Sequence, residues 1–342
     1  MEKKMKKLLS KHEFYISLVI VLLCAMIEIR SGQFFTPNNL VDLGSALIVP
    51  GLFAIGAFMV IVSGGIDVSF PALASLSVYT TTRILTDIDY KGGILLPIVM
   101  VLAFGALLGA FNGFFIAKLK LPTMIITLGT SSVFKGIMQG VLNSTQIPNI
   151  PEGMKKFGND ALFVALNKES GLTSKMPIAF LILIVAIGLA YFVLRYTMFG
   201  RALFAIGGNE SSAYRAGFNV ERTKFILYVV VGAVSSLAGL IRVCMMGQCH
   251  PTNMLGMEMM IIAGVVLGGV AITGGDGTLT GCMLGTILIV MVQNSLILLG
   301  IPTYWQGFFL GTLIIVGTGI SAMQVLRNSK RLVRKKSEEE SS

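Results

Sequence analysis

The sequence predicts an all-α, polytopic membrane protein of about ten transmembrane helices. Three observations carry that prediction. The 342 residues are 54% apolar and only 13% charged, with a mean hydropathy of +0.81; soluble domains average about 45–50% and about 25%. Apolar runs of roughly 20 residues recur from end to end, each long enough for a hydrocarbon core of about 30 Å. Basic residues gather in the tails and in alternate connections, the pattern of cytoplasmic segments.

In chain order, a basic tail at residues 1–13, with Lys3, Lys4, Lys6, Lys7 and Lys11, precedes a first span at 14–30. No small-residue cleavage site follows in Glu28-Ile29-Arg30-Ser31, so this span is retained and is not a signal peptide. Further spans are expected at 42–62, 68–85, 94–117, 122–142, 177–195, 224–246, 256–273, 278–299 and 303–323. With the N-terminus inside, Lys118, Lys120 and the arginines of segment 196–223 fall inside; Asp87, Asp89 and the long segment 143–176 fall outside. An even number of spans returns the basic cluster of the 324–342 tail, Arg327 to Lys336, to the cytoplasm beside anionic headgroups. The transmembrane domain is thus 14–323, between two cytoplasmic tails. The net charge of +10 belongs to these tails and inner loops, against lipid, and does not signal nucleic-acid binding. Segment 143–176, with Pro148, Pro151 and mixed charge, is the largest external feature; an ordinary loop and a surface for an extracellular partner both fit it.

Small residues recur at four-residue spacing. Gly105, Gly109 and Gly113 form one face, Gly277, Gly281 and Gly285 another, Gly307 and Gly311 a third. In lipid such glycines let helix backbones approach closely, so these read as packing faces. Two breaks resemble each other: Ser63-Gly64-Gly65-Ile66-Asp67-Val68-Ser69 and Thr273-Gly274-Gly275-Asp276-Gly277-Thr278 each place a glycine pair and an aspartate before a new helix. An ordinary cytoplasmic turn and a broken helix near a pathway both fit, and the match is in keeping with an internal repeat. Cys24, Cys244, Cys249 and Cys282 are scattered without metal spacing; packing is their expected role, with a Cys244–Cys249 disulfide the alternative.

Enzyme chemistry is missing from the pattern. No Gly-x-x-x-x-Gly-Lys-Ser/Thr occurs, so ATP is not expected to bind this chain. His12 and His250 are far apart, no metal site is expected, and no Gly-x-Ser-x-Gly elbow is present. Polar residues in or beside spans mark pathway or helix-pairing sites. The candidates are Asp67, Asn112, Gln139, Arg242, Glu258, Gln293, Asn294 and Trp305, the last with a membrane-interface anchor as its plainer reading. Amides outnumber charges among them, which suits a neutral, hydroxyl-rich solute and speaks against a proton pump or voltage sensor.

The most polar inner segment is Gly200 to Gly217. Asn209 is a good N-cap, Glu210 complements the dipole of the first turn, and Gly217 suits a left-handed C′ position, giving an amphipathic helix of about two turns. Arg195, Arg201, Arg215, Arg222 and Lys224 surround it and place it in the cytoplasm.

Gly200-Arg201 through Gly207-Gly208-Asn209-Glu210 to Gly217 resembles the coupling loop of sugar-type ABC importer permeases. The two glycine breaks, Gly268-Gly269-Val270 and the run Gln293-Asn294 through Leu299-Gly300 to Tyr304-Trp305-Gln306 are similar to the same group, over about residues 14–323. The group is the ribose, galactoside and autoinducer-2 type, within the superfamily that includes branched-chain amino-acid permeases. The resemblance implies a type II importer fold in a bacterial cytoplasmic membrane, a second permease subunit, cytoplasmic ATPase subunits that use the ATP and magnesium, and an extracytoplasmic solute-binding protein. It implies that Asn209–Gly217 docks into the ATPase, with Gly200, Arg201, Gly207, Gly208, Asn209, Glu210, Ala213 and Gly217 as coupling residues. The usual Glu-Ala-Ala core reads Glu210-Ser211-Ser212-Ala213 here, and Met260 stands where relatives commonly carry an aspartate two positions after Glu258. A secondary transporter acting alone is the alternative that the broken-helix reading supports.

Overall fold

The computed structural model describes residues 12–166 and 171–309, with 311, 312, 315 and 319 beyond them. Its helices begin α1 His12–Ser31, α2 Pro37–Val62, α3 Phe70–Asp87, α4 Leu95–Gly113, α5 Thr123–Gly140 and α6 Glu152–Asn159. A hairpin of β1 Ala161–Leu166 and β2 Thr173–Pro177 follows, antiparallel, with Val164 opposite Lys175. Then come α7 Ala179–Tyr196, α8 Met198–Gly208, α9 Glu210–Arg215, α10 Val220–Met246, α11 Met257–Leu267 and α12 Leu279–Leu298. Among the described residues six helices are long and apolar enough to cross a membrane: α1, α2, α4 with its π-helical continuation Phe114–Lys118, α7, α10 and α12. Helices α3 and α5, of 18 residues each, are more polar. The expected span 303–323 and both basic tails lie largely outside the described residues.

Three expectations are corrected. Span 256–273 shortens to the 11 residues of α11, because Gly268 ends the helix and Gly269 takes a left-handed φ of +85°. Segment 143–176 is not one loop. Pro151 fixes the entry to α6 with Glu152 in its first turn, and the β-prone run around Phe163 and Val164 pairs as a strand. Segment 196–223 holds two helices, since α8 precedes the expected short one.

Apolar composition alone does not say which helix is central. Helices α1 and α2 are both strongly apolar, yet little of the first and most of the second is buried. Lipid is therefore the natural neighbour of α1, whereas α2 is enclosed by protein. The first glycine face packs as its spacing predicts, and so do Gly281 and Gly285 of the second, whereas Gly277 lies before α12 at φ +142° and faces Val270. A Cβ on Gly105 would meet Gly232 O at 2.5 Å, and one on Gly109 would meet Gly232 Cα at 3.2 Å, so α4 and α10 touch backbone to backbone. Gly285 and Gly281 do the same for α12 against Gly264 and Gly268. A Cβ on Gly307 or Gly311 would meet no other segment within 4 Å among the described residues, and most of the third face's surroundings lie outside them.

The connections sort into two ends. At one, Thr278 Oγ1 donates to Glu13 at 2.8 Å, Gly275 N to Val62 O at 2.9 Å, and Tyr228 Oη bonds Thr123 at 3.3 Å. At the other, Asn38 Nδ2 donates to Leu172 O at 2.8 Å, Gln146 bonds Gln248 at 2.7 Å, and Ile147 pairs with Cys249. These two sets are the ones that charge placement separates. Cys244 and Cys249 are buried and free, with the Cys249 thiol pushed up to about 12 by burial; packing is their role here.

Candidate coupling site

Thr197 turns the chain out of α7 and caps α8, its Oγ1 accepting from Gly200 N at 3.2 Å. The corner needs glycine: a Cβ on Gly200 would lie 2.5 Å from Leu194 Cα. Helix α8 buries Ala202, Leu203 and Ile206 and exposes Arg201. Ala202 and Ile206 then meet Ala213, Phe218 and Val220, forming a small apolar seat beneath α9.

Helix α9 has six residues, too few to persist alone in water. It is held at every side. Asn209 Oδ1 accepts from Ser212 N and Ser211 Oγ, both at 2.8 Å. Gly217 reverses the chain at φ +89°, and Asn219 caps α10 by accepting from Arg222 N at 2.9 Å. Glu210 accepts from Lys224 Nζ at 2.6 Å, a half-exposed pair that contributes at most about 1 kcal/mol but fixes α9 against α10. What remains outward is Ser211, Ser212, Tyr214 and Arg215, with Tyr214 73% exposed. A cavity of 1440 Å³ opens beside this helix, with Lys120, Leu121 and Thr123 on one wall and Tyr214, Arg215, Phe218 and Lys224 on the other.

The two glycine breaks meet at the end of α8. Gly64, Gly274 and Gly275 take φ of +85°, +86° and +76°, values that cost glycine little and other residues much. A Cβ on Gly274 would lie 2.6 Å from Gly64 Cα, one on Gly275 2.6 Å from Gly208 Cα, and one on Gly207 2.6 Å from Gly275 N and against Val62 O. Three separate segments thus touch backbone to backbone.

Beside this contact lies a buried polar network. Asp67 is 4% exposed, and its Oδ1 accepts from Ser69 N and Ser69 Oγ, both at 2.7 Å. Ser69 Oγ in turn accepts from Asn112 Nδ2 at 2.8 Å. Thr127 Oγ1 accepts from Val68 N at 3.3 Å. Asn112 is itself buried, and its Oδ1 has no partner among the described residues. Burial pushes the Asp67 carboxyl above the ordinary carboxylate range, and the Ser69 hydrogen bonds offset this in part.

Of the pathway candidates the structure brings together only Asp67 and Asn112. Gln139 is exposed near the end of α5. Glu258 accepts from Gly256 N at 2.9 Å and so caps its own helix. Gln293 offers its backbone carbonyl to Gln306 Nε2 at 3.1 Å, and Asn294 Nδ2 donates to Val290 O one turn back. Trp305 is 44% exposed and packs edge-on against Phe308. Arg242 leaves its Nε buried without a partner among the described residues. Sequence reading missed Ser69 and Thr127 as partners, since serine and threonine are common in such spans. It noticed both glycine breaks, but not that they converge on Gly207. Among the described residues no group of three or more His, Cys, Asp or Glu side chains can hold a metal ion.

Residues 39–317 match the family described as branched-chain amino acid transport system / permease component. The chain is 29% identical over 315 residues to the ribose import permease protein RbsC of Escherichia coli K12, covering 92% of each chain. It is 30% identical over 300 residues to the ribose import permease protein of Haemophilus influenzae, covering 87% of this chain and 90% of that one. It is 29% identical over 298 residues to the autoinducer 2 import system permease protein LsrC of Yersinia enterocolitica, covering 87% and 79%. No solved structure matches the chain.

Proposed function

The chain belongs to the branched-chain amino acid transport system / permease component family, and from that premise we propose that it is the membrane-spanning permease subunit of an ATP-binding-cassette importer. Its cargo is a small neutral hydroxylated solute, a sugar or sugar-like molecule. Ribose, named for two of the relatives, belongs to that class, and amide side chains such as Asn112, Gln139, Gln293 and Asn294 suit it. Cytoplasmic ATPase subunits supply the ATP and magnesium chemistry, an extracytoplasmic binding protein delivers solute, and a second permease subunit completes the pathway. The chain lies in a bacterial cytoplasmic membrane with both termini in the cytoplasm.

The observation that carries this reading is α9. A six-residue helix capped by Asn209, seated through Ala213 and braced by Glu210–Lys224 presents Tyr214 and Arg215 outward from an end rich in basic residues. Such an element passes force between a soluble partner and the spans to which it is tied. ATP binding and hydrolysis in the partner displaces α9, and the spans tilt to open the pathway to each side in turn.

The test starts with a mild-detergent pull-down of the tagged chain, its partners identified by mass spectrometry, followed by reconstitution of the recovered complex in liposomes. A P-loop ATPase and ATP-dependent uptake are expected. Transport by this chain alone, driven by an ion gradient without ATP, would overturn the reading in favour of a secondary carrier. Glu210→Lys, which sets two lysines together and places a cation at a helix N-terminus, is expected to abolish ATPase recovery and uptake while leaving membrane insertion intact. Gly217→Val acts likewise, because valine is strained at φ +89°. Unimpaired uptake in both variants would remove α9 from the mechanism.

A further inference from the structure

We propose that Gly64, Gly274 and Gly275 are positioning residues for transport: with Gly207 they form a rigid joint through which α8 and α9 move α2, α3 and α12 as one body. The inference rests on the importer reading and extends it to two breaks that the coupling segment does not contain.

The argument is one of slack. Side chains in contact across an interface change rotamer and absorb a displacement; backbone atoms at their steric limit do not. Here the contacts of Gly274 with Gly64, and of Gly275 with Gly208, leave no room for even a methyl group. The hydrogen bond from Gly275 N to Val62 O fixes their register. Each segment leads directly into a long helix. Val62 is the last residue of α2, Phe70 the first of α3 and Leu279 the first of α12. The start of α3 is further pinned by Asp67–Ser69–Asn112 to α4 and by Val68–Thr127 to α5. A shift of α8 therefore reaches three helices without passing through a side chain. Gly64, Gly274 and Gly275 share one reason for being glycine, since each brings its backbone to another of the three segments, whereas Gly65 makes room for the Thr123 and Tyr228 side chains.

The test uses the complete complex in liposomes and reads ATP hydrolysis with and without the co-purified binding protein. Gly274→Ala adds a methyl 2.6 Å from Gly64 Cα. It is expected to keep ATPase association and basal hydrolysis, and to reduce the response to binding protein about 5-fold or more. Gly64→Ala, whose added methyl has its nearest neighbour at 3.4 Å, is expected to lose less. Gly188→Ala, whose added methyl would meet no other segment within 4 Å among the described residues, should behave as wild type. A normal response in Gly274→Ala would overturn the joint. A wild-type complex whose hydrolysis ignores the binding protein would instead sink the importer reading, and the joint with it. Should Gly274→Ala fail to insert, Gly275→Ala decides, since its added methyl would lie 2.6 Å from Gly208 Cα: the same reduced response is expected, and a normal one overturns the joint.

Discussion

The two glycine breaks begin alike in sequence and end differently in the fold. Ser63–Ser69 and Thr273–Thr278 both carry a glycine pair and an aspartate before a new helix, and both converge on Gly207. Yet Asp67 is buried and organises Ser69 and, through it, Asn112, whereas Asp276 is exposed and its carboxylate accepts from Gly277 N, its neighbour, at 2.8 Å. Gly64 does the same work in the first break as Gly274 and Gly275 do in the second; the aspartates do not. A carboxylate is kept in a buried place only where the hydrogen bonds it accepts offset its desolvation. The first break is thus an anchor within the bundle, and the second is an attachment at its surface.

The largest test of that difference is Asp67→Ala. It leaves Ser69 N–H and Oγ–H without their acceptor in a buried site, and the expected loss is about 2–4 kcal/mol. Thermal melting of the purified chain in detergent reads it; a loss below about 0.5 kcal/mol would erase the contrast between the breaks. Asn112→Ala comes next, at about 1 kcal/mol. It removes one bond to Ser69 Oγ, which still donates to Asp67, and it also removes the unpartnered Oδ1. An effect equal to that of Asp67→Ala would mean that Asn112, and not the aspartate, holds the network.

How much of this was legible follows from what each feature depends on. The class, the alternation of basic and acidic connections and the capped helix at Asn209–Gly217 depend on local composition, so residue order alone displays them. The glycine faces of α4 and α12 are equally local, because their four-residue spacing states the contact before its partner is known. The convergence of Gly64, Gly207 and Gly274 is a matter of tertiary placement, and nothing in the spacing of three distant glycines announces it. The same holds for Asp67 and Asn112, 43 residues from Ser69 to Asn112 along the chain. Helix α11 was overextended because the apolar run continues past Gly268-Gly269, where backbone conformation and not hydropathy ends the helix. The hairpin and α6 escaped notice because a proline-bearing, mixed-charge segment looks the same whether or not it folds.

Asp67→Asn sharpens the comparison through pH. Because the folded carboxyl titrates above its ordinary value, its contribution is fully present below the unfolded value of about 3.9 and is lost as pH rises through the folded value. An asparagine oxygen still accepts from Ser69, but the side chain no longer has a proton to release. Wild type should therefore lose melting temperature relative to Asp67→Asn as pH is raised from 4 across that window, and the two curves should run parallel above it. Curves that are parallel throughout would show that Asp67 keeps its charge at no cost, and the first break would then be no different in kind from the second.

The smallest expected effect belongs to Asp276→Ala. Its carboxylate is exposed, and its side-chain bond to Gly277 N is a local one that water replaces. The backbone bond from Ala271 N to Asp276 O survives the substitution, as do the glycines that make the contact with Gly64 and Gly208. Melting should shift by no more than about 0.5 kcal/mol, and hydrolysis should still respond to the binding protein. A small stability change accompanied by a lost response would be the informative exception: the second aspartate would then act on the partner that covers this end of the chain, and the two breaks would divide their work between holding the bundle and meeting its motor.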